Sequence, residues 1–181
     1  MAIAEVKDNT DVVVEWSPYL LKDGGPYAVP PEGRPLLPPG AEPQFHSMAG
    51  RGKEVGIDMT GDVTRVPNTT LSHVLLEWAF EQRPEAQHQL KELIFQAYYS
   101  KNIFLDLEAL VAFADQAGYD AVAARAHLLS GNGEASVRKK SNDAKRCING
   151  IPHIIINDKA TFSGAQDPGV FVRALQAAAR S

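Results

Sequence analysis

The sequence predicts an α/β fold, with strand segments near both ends of the chain and a large helical block between them. Three consecutive valines favour a buried parallel strand over Val12–Trp16. Near the other end, the β-branched run His153–Ile156 favours a strand buried on both faces. The residues between these two segments carry apolar side chains at helical spacing. Strands separated by helices are typical of the α/β class.

The C-terminal strand is the first half of a predicted hairpin. Asn157-Asp158 is a hairpin turn signal, and Lys159–Phe162 follows it as a second short strand. Gly164 ends that strand. We therefore expect a tight antiparallel pair in this part of the chain.

A last helix follows the hairpin. Asp167 is a suitable N-cap and Pro168 a suitable first helical residue, which predicts a helix over Gly169–Arg180. The residues in front of the hairpin are Ile151-Pro152, and proline is tolerated where a strand begins because its missing N–H leaves no gap in the ladder.

The central block predicts five helices and a shorter one before them. Each of the first three has apolar residues repeating at i, i+3, i+4 and i+7, and each begins at a capping residue or a proline. The predicted segments are a short helix in Gln44–Gly56, then helices starting at Asn68, Pro84, Asp106 and Asp120, and a more polar one over Glu134–Cys147. Ile57–Pro67 is predicted to be a connecting loop.

A proline-rich segment precedes the helices. Ser17–Pro43 holds eight prolines, which excludes regular structure there and predicts either a wrapped surface loop, or a lid or polyproline partner-binding segment. Met1–Lys7 is predicted to be the end of a helix, and Asp8–Asp11 a turn. The predicted organisation is one domain over residues 1–181, with a core from 1–20 and 148–181, the proline-rich loop at 17–43 and a helical insertion at 44–147.

Composition narrows the function classes. The 181 residues carry a net charge of −4, which argues against nucleic acid as the main partner. No run approaches the length of a membrane span, and Met1–Asp11 is not a secretory signal, so we expect a cytoplasmic protein with no membrane partner.

Cys147 is the one cysteine, so the sequence contains no C-x-x-C motif and cannot form an internal disulfide. The histidines have no metal-ligand spacing, so no metal site is predicted.

Four short motifs carry a resemblance to a known family. They are Gly150-Ile151-Pro152, Ser163-Gly164-Ala165-Gln166, Phe95-Gln96-Ala97-Tyr98-Tyr99 and Gly118-Tyr119-Asp120. Together they resemble the DsbA/FrnE-like disulfide oxidoreductases, which have a thioredoxin-like fold with a large all-helical insertion. The resemblance spans nearly all of the chain.

The resemblance implies a site at Ile151 and Pro152. It implies that Pro152 follows a cis peptide bond and that Ile151 offers its backbone to an extended substrate, a peptide or small molecule with a thiol or disulfide. In the family, the first strand and a C-x-x-C helix precede a strand like Val12–Trp16, so both would lie upstream of Met1. Exchange needs a second thiol to resolve a mixed disulfide, so we expect this chain by itself to be redox-inactive.

Two alternatives remain open. The resemblance extends to 2-hydroxychromene-2-carboxylate isomerases and kappa-class glutathione transferases, which implies glutathione as a possible cofactor. The other alternative is a non-catalytic peptide-binding or scaffolding module using the Ile151-Pro152 loop and the proline-rich segment. A missing first strand would also expose a sheet edge, which predicts a homodimer through that edge.

Other polar residues allow both a structural and a functional interpretation. Cys147 is either a half-buried inert thiol or a reactive, glutathionylated one. His153 is either a surface residue or faces the groove beside the Pro152 loop. Two further groups allow the same choice between a structural role and a groove rim: Asn68, Thr69 and His73, and the basic residues Arg138, Lys139, Lys140, Lys145 and Arg146.

Overall fold

The fold was analysed in a computed structural model that describes residues 12–21, 29–30, 32–35, 46–59 and 65–180. The predicted helix end at Met1–Lys7, the turn at Asp8–Asp11 and much of Ser17–Pro43 lie outside these residues. The described elements form a predominantly helical body, which is followed in the chain by a C-terminal hairpin and one helix. In chain order they are β1 (Arg34–Pro35), α1 (His46–Glu54), β2 (Arg65–Val66), α2 (Thr70–Gln82), α3 (Pro84–Tyr99), α4 (Leu107–Gln116), α5 (Ala121–Ser130), α6 (Asn132–Cys147), β3 (His153–Ile156), β4 (Ala160–Ser163) and α7 (Pro168–Ala178).

The five helices α2 to α6 form the body, and their predicted positions are confirmed. Asp106 caps α4 by accepting a hydrogen bond from the Ala109 N–H, and Asp120 caps α5 by accepting from Val122 and Ala123. The N-cap residue of α2 is Thr69, one residue after the predicted Asn68, but the Asn68 side chain accepts from the Thr70 N–H at the start of the helix. The local capping chemistry therefore sets the helix boundaries.

The hydrophobic core lies between these helices. Leu75 and Val74 of α2, Leu90 of α3 and Leu110 of α4 are fully buried at its centre. Gly133 lets α6 approach α2 closely, because a Cβ on Gly133 would lie 2.5 Å from Val74 Cγ1. Such an approach is possible only where the side chain is absent.

The predicted strand at Val12–Trp16 is wrong. The segment is irregular, no strand among the described residues pairs with it, and Val13 is 74% exposed. Side chains of the body instead bind the backbone at the end of this segment and just after it: Gln87 Oε1 accepts from the Trp16 N–H at 2.9 Å, and Ser141 Oγ accepts from the Leu20 N–H at 2.8 Å. β-branched residues favour an extended backbone, but a strand also needs a neighbouring strand to pair with.

Two further expectations need correction. Regular structure was excluded from the proline-rich segment, and Ile57–Pro67 was predicted to be a connecting loop, yet β1 pairs antiparallel with β2, placing Pro35 opposite Arg65. A two-residue pair at a sheet edge tolerates proline because an edge N–H needs no partner. The run His153–Ile156 was expected to be buried on both faces, yet every one of its residues is partly exposed and Ile155 is 56% exposed.

The C-terminal unit consists of β3, β4 and α7, as predicted. Asn157 and Asp158 adopt positive φ angles of 48° and 55°, which the hairpin turn requires. Asp167 caps α7 by accepting from the Gly169 N–H. The helix packs on one face of the hairpin, where the Phe162 and Phe171 rings meet edge to face at 5.6 Å. No residue between 149 and 180 is fully buried.

Candidate functional site

The candidate site lies where β3 begins. Antiparallel pairing sets His153 opposite Ser163 and Ile155 opposite Thr161. The Gly164 N–H donates to the Pro152 carbonyl at 2.8 Å, which extends the same register by one pair. The peptide bond between Ile151 and Pro152 is cis, as the family resemblance implies.

The register decides which backbone groups of β3 point away from β4. Hydrogen-bonded and non-hydrogen-bonded pairs alternate along an antiparallel ladder. Since Pro152 bonds to Gly164, the next pair, His153 with Ser163, is not hydrogen-bonded, and neither is Ile155 with Thr161. The N–H and C=O groups of His153 and Ile155 therefore point to the outer side of β3, where no strand among the described residues lies.

A cavity of about 340 Å³ adjoins this strand. Its walls come from the end of α6, the loop before β3, the first residue of β3 and the end of β4. The lining residues are Cys147, Ile148, Asn149, Gly150, Ile151, His153, Ser163 and Gly164. The cavity is large enough for a side chain of a bound peptide, although it is smaller than most cofactor sites.

Polar groups line one wall of the cavity. A hydrogen bond of 3.0 Å joins His153 Nδ1 and Ser163 Oγ. Residues 153 and 155 lie on the opposite face of the strand from Ile154, whose cross-strand neighbour Phe162 contacts α7. His153 lies in the wall of this cavity and is partly exposed, so both of its sequence-based interpretations stay open.

Cys147 is exposed, which corrects the expectation of a half-buried thiol. It is the last residue of α6, so the prediction that it sits at a helix C-terminus is confirmed. The neighbouring Arg146 is paired to Asp143 at 3.2 Å.

The other predicted candidates lie apart from this cavity. The Asn68 side chain accepts from the Thr70 N–H in front of α2 and donates to the Val29 carbonyl at 2.7 Å, and burial lowers the pKa of His73 to about 4. Neither they nor Thr69 line the cavity, which favours their structural interpretation. In the basic cluster, Lys140 pairs with Glu77 and Lys139 with Asp143, each at 2.8 Å, as in a solvated helix face.

Sequence reasoning missed Ser163, Gly164 and Asn149 as lining residues. A signal for Ser163 was present, because the predicted turn at Asn157-Asp158 places it near His153 in the hairpin. The residues that the structure describes contain no cluster of three or more acidic, cysteine or histidine side chains able to hold a metal ion. Within the same residues, no helix is long and apolar enough to cross a membrane.

Comparison with known proteins identifies the family. The family model for the DSBA-like thioredoxin domain matches residues 2–176. The chain belongs to this family. The DsbA-like fold here is mostly helical, with a small sheet and the predicted helical insertion.

One solved structure supports the same assignment. The chain is similar to the crystal structure of a probable DsbA oxidoreductase from Streptomyces coelicolor, with a TM-score of 0.64 and 25% sequence identity. The match covers 73% of this DsbA-like chain and 57% of the Streptomyces chain, so this chain corresponds to little more than half of that protein. No curated protein matches the sequence.

Proposed function

We propose that this DsbA-like chain binds an extended peptide carrying a thiol or disulfide at the outer edge of β3, with Ile151 and Pro152 as substrate-binding residues. The observation that carries the proposal is a strand edge that pairs with no strand among the described residues, together with an adjoining cavity that Ile151 helps to line. An extended peptide can add to such an edge through main-chain hydrogen bonds, and a pocket beside it gives specificity for a side chain.

We further propose that the chain by itself does not catalyse thiol–disulfide exchange. Its one cysteine is at the C-terminus of a helix, whereas a catalytic thiolate is stabilised at a helix N-terminus and needs a second thiol for release of the product. The family's activity would then require cysteines from outside these 181 residues. The cytoplasmic location expected from the sequence belongs to the same proposal.

Peptide binding is tested by fluorescence anisotropy under reducing conditions. The probe is a labelled extended peptide with one cysteine between valine and threonine residues, and the same peptide with serine is the comparison. Ile151→Pro removes the backbone N–H of residue 151 and should weaken binding, whereas Ile151→Val keeps it and should bind like the wild type. Equal binding by both variants would contradict the assignment of Ile151.

Activity is tested separately, by reduction of insulin with dithiothreitol as the electron donor. The wild-type chain should leave the uncatalysed rate unchanged, and robust turnover would overturn the claim of inactivity. Retention on immobilised glutathione would instead favour the glutathione-dependent alternative, since the proposed site binds the peptide backbone.

A further inference from the structure

Two asparagines of this chain are each followed directly by a glycine, in Asn132-Gly133 and in Asn149-Gly150. The backbone nitrogen of the residue after an asparagine can attack the carbon of the asparagine side-chain amide. A glycine leaves that nitrogen accessible, because it has no Cβ beside it. The structure places the two dipeptides in different surroundings, and these decide where the reaction can occur.

The Asn149-Gly150 dipeptide lies in the loop between α6, which ends at Cys147, and β3, which begins at His153. Asn149 is exposed. Among the described residues, no atom lies within 4 Å of the position that a Cβ on Gly150 would take. The backbone here belongs to neither a helix nor a strand, and the space beside Gly150 accommodates a cyclic intermediate.

Asn132 and Gly133 are instead the first two residues of α6. A helix holds ψ near about −42°, whereas ring closure needs the asparagine Cβ and the next backbone nitrogen to eclipse each other about the Cα–C bond. A Cβ on Gly133 would lie 2.5 Å from Val74 Cγ1 and 3.2 Å from His127 Nε2, so the helix is closely packed at this point. The same two residue types are therefore held away from the reactive geometry in α6.

We propose that Asn149 is a site of spontaneous deamidation in the folded protein. The Gly150 backbone nitrogen loses its proton and forms a bond to Cγ of Asn149, while the bond from Cγ to the side-chain nitrogen breaks. The side-chain nitrogen leaves with that proton as ammonia, and a cyclic imide remains. Water then adds to either imide carbonyl and opens the ring, which gives aspartate or isoaspartate. The reaction consumes water and releases ammonia, and it needs no oxidant or reductant.

Deamidation changes the charge of the cavity beside β3. The residues that line this cavity, Asn149 among them, include no acid, lysine or arginine. Either product adds a carboxylate to the lining, and isoaspartate also adds a methylene group to the main chain directly before Gly150. The consequence for binding rests on the proposed function: a carboxylate here favours a peptide with a basic residue beside its cysteine over a peptide with an acidic one.

The test is incubation of the purified 181-residue chain at mildly alkaline pH, with peptide mapping by mass spectrometry at intervals. Conversion raises the mass of a fragment by the difference between OH and NH₂, and an isoaspartyl methyltransferase detects isoaspartate. Asn149 should convert at least roughly tenfold faster than Asn132, a difference of about 1.4 kcal/mol in activation free energy. In concentrated urea the two rates should converge, because unfolding removes the helix around Asn132. Equal rates in the folded protein, or faster conversion of Asn132, would overturn the proposal.

A glycine variant tests which nitrogen attacks. Gly150→Ala places a methyl group beside the attacking nitrogen and should slow conversion of Asn149, and the open space around Gly150 allows the substitution. Gly50→Ala in α1, where the Cβ position is equally open, is the matched control and should leave the rate unchanged. Far-UV circular dichroism verifies that both variants are folded. Conversion of Asn149 at the wild-type rate in Gly150→Ala would contradict attack by the residue 150 nitrogen.

The consequence for binding is measured separately with Asn149→Asp, which carries one of the two products. In the anisotropy experiment, its preference for a probe with lysine beside the cysteine over one with glutamate should exceed that of the wild type by roughly twofold to fivefold. An unchanged preference would overturn the effect of the carboxylate on binding. Failure of the wild type to bind any of the probes would reject the proposed function alone, since the conversion rates are measured without peptide.

Discussion

The helical body and the C-terminal hairpin unit contain similar apolar residues but bury them to different extents. In the body, Leu75, Leu90 and Leu110 have no exposed surface. In the hairpin unit, Ile154, Ile156 and Phe162 are only half-buried, and no residue from 149 to 180 is fully buried. The body encloses its own core, whereas the hairpin unit has one helix on one face only. Apolar sequence therefore predicts burial only where enough elements surround it.

The largest expected effect comes from truncating a core residue of the body. Leu90→Ala should lower the free energy of unfolding by about 2–5 kcal/mol, since it removes a fully buried side chain and leaves a cavity. Phe162→Ala, in the hairpin unit, should cost clearly less, although it removes a larger side chain. Urea denaturation followed by circular dichroism measures both. Equal losses would mean that the two regions are equally well packed.

Acid should destabilise the body through His73. Burial lowers the pKa of His73 from 6.5 to about 4 in the folded protein, so the unfolded chain takes up the proton first as the pH falls. Stability should be level above about pH 6.5, fall between there and about pH 4, and lose at most about 3 kcal/mol. In urea titrations at several pH values, His73→Gln should remove this slope. The exposed His88→Gln is the control and should keep it.

The close approach of α6 to α2 is tested at a glycine. Gly133→Ala should destabilise by about 1–3 kcal/mol, because the new methyl group would overlap Val74. Gly50→Ala in α1 is the control: no atom lies within 4 Å of its Cβ position, so it should be neutral or slightly stabilising. Thermal unfolding of both variants makes the comparison, and a neutral Gly133→Ala would mean that the two helices can separate without cost.

The smallest effects compare the same capping chemistry in the two regions. Asp120→Ala should cost about 1 kcal/mol of global stability, because α5 is part of the body. Asp167→Ala removes a similar cap from α7, but should change mainly local opening in the hairpin unit. Hydrogen exchange distinguishes the two: faster exchange in α7 and β3 with an unchanged body is expected for Asp167→Ala. Faster exchange throughout would show that the regions unfold together.

Local signals in the sequence predicted the helices and their boundaries well. Asp106, Asp120 and Asp167 mark helix starts because capping depends on neighbouring residues alone. The Asn157-Asp158 turn was predictable for the same reason. The substrate-binding role of Ile151 and Pro152 was predicted from the family resemblance alone, since nothing in their local chemistry specifies a site.

What the sequence did not reveal depends on residues far apart in the chain. Val12–Trp16 has strand-like composition, but no strand among the described residues lies beside it. Cys147 is exposed because the end of α6 borders a cavity, which no local pattern indicates. Gln87 is buried on the same face of α3 as Leu90 and Ile94. A polar residue at such a core position was the available clue that Gln87 binds the backbone of another segment.

Gln87 also shows how the extended segment is attached to the body. Its amide accepts from the Trp16 N–H and donates to the Trp16 and Leu76 carbonyls, while Ser141 accepts from Leu20. In a β-ladder, the backbone of the neighbouring strand makes such hydrogen bonds, so no single substitution can remove them all. Here two side chains supply them. The backbone hydrogen bonds of Trp16 and Leu20 to the body are therefore encoded at positions 87 and 141, where one substitution at each position would remove them.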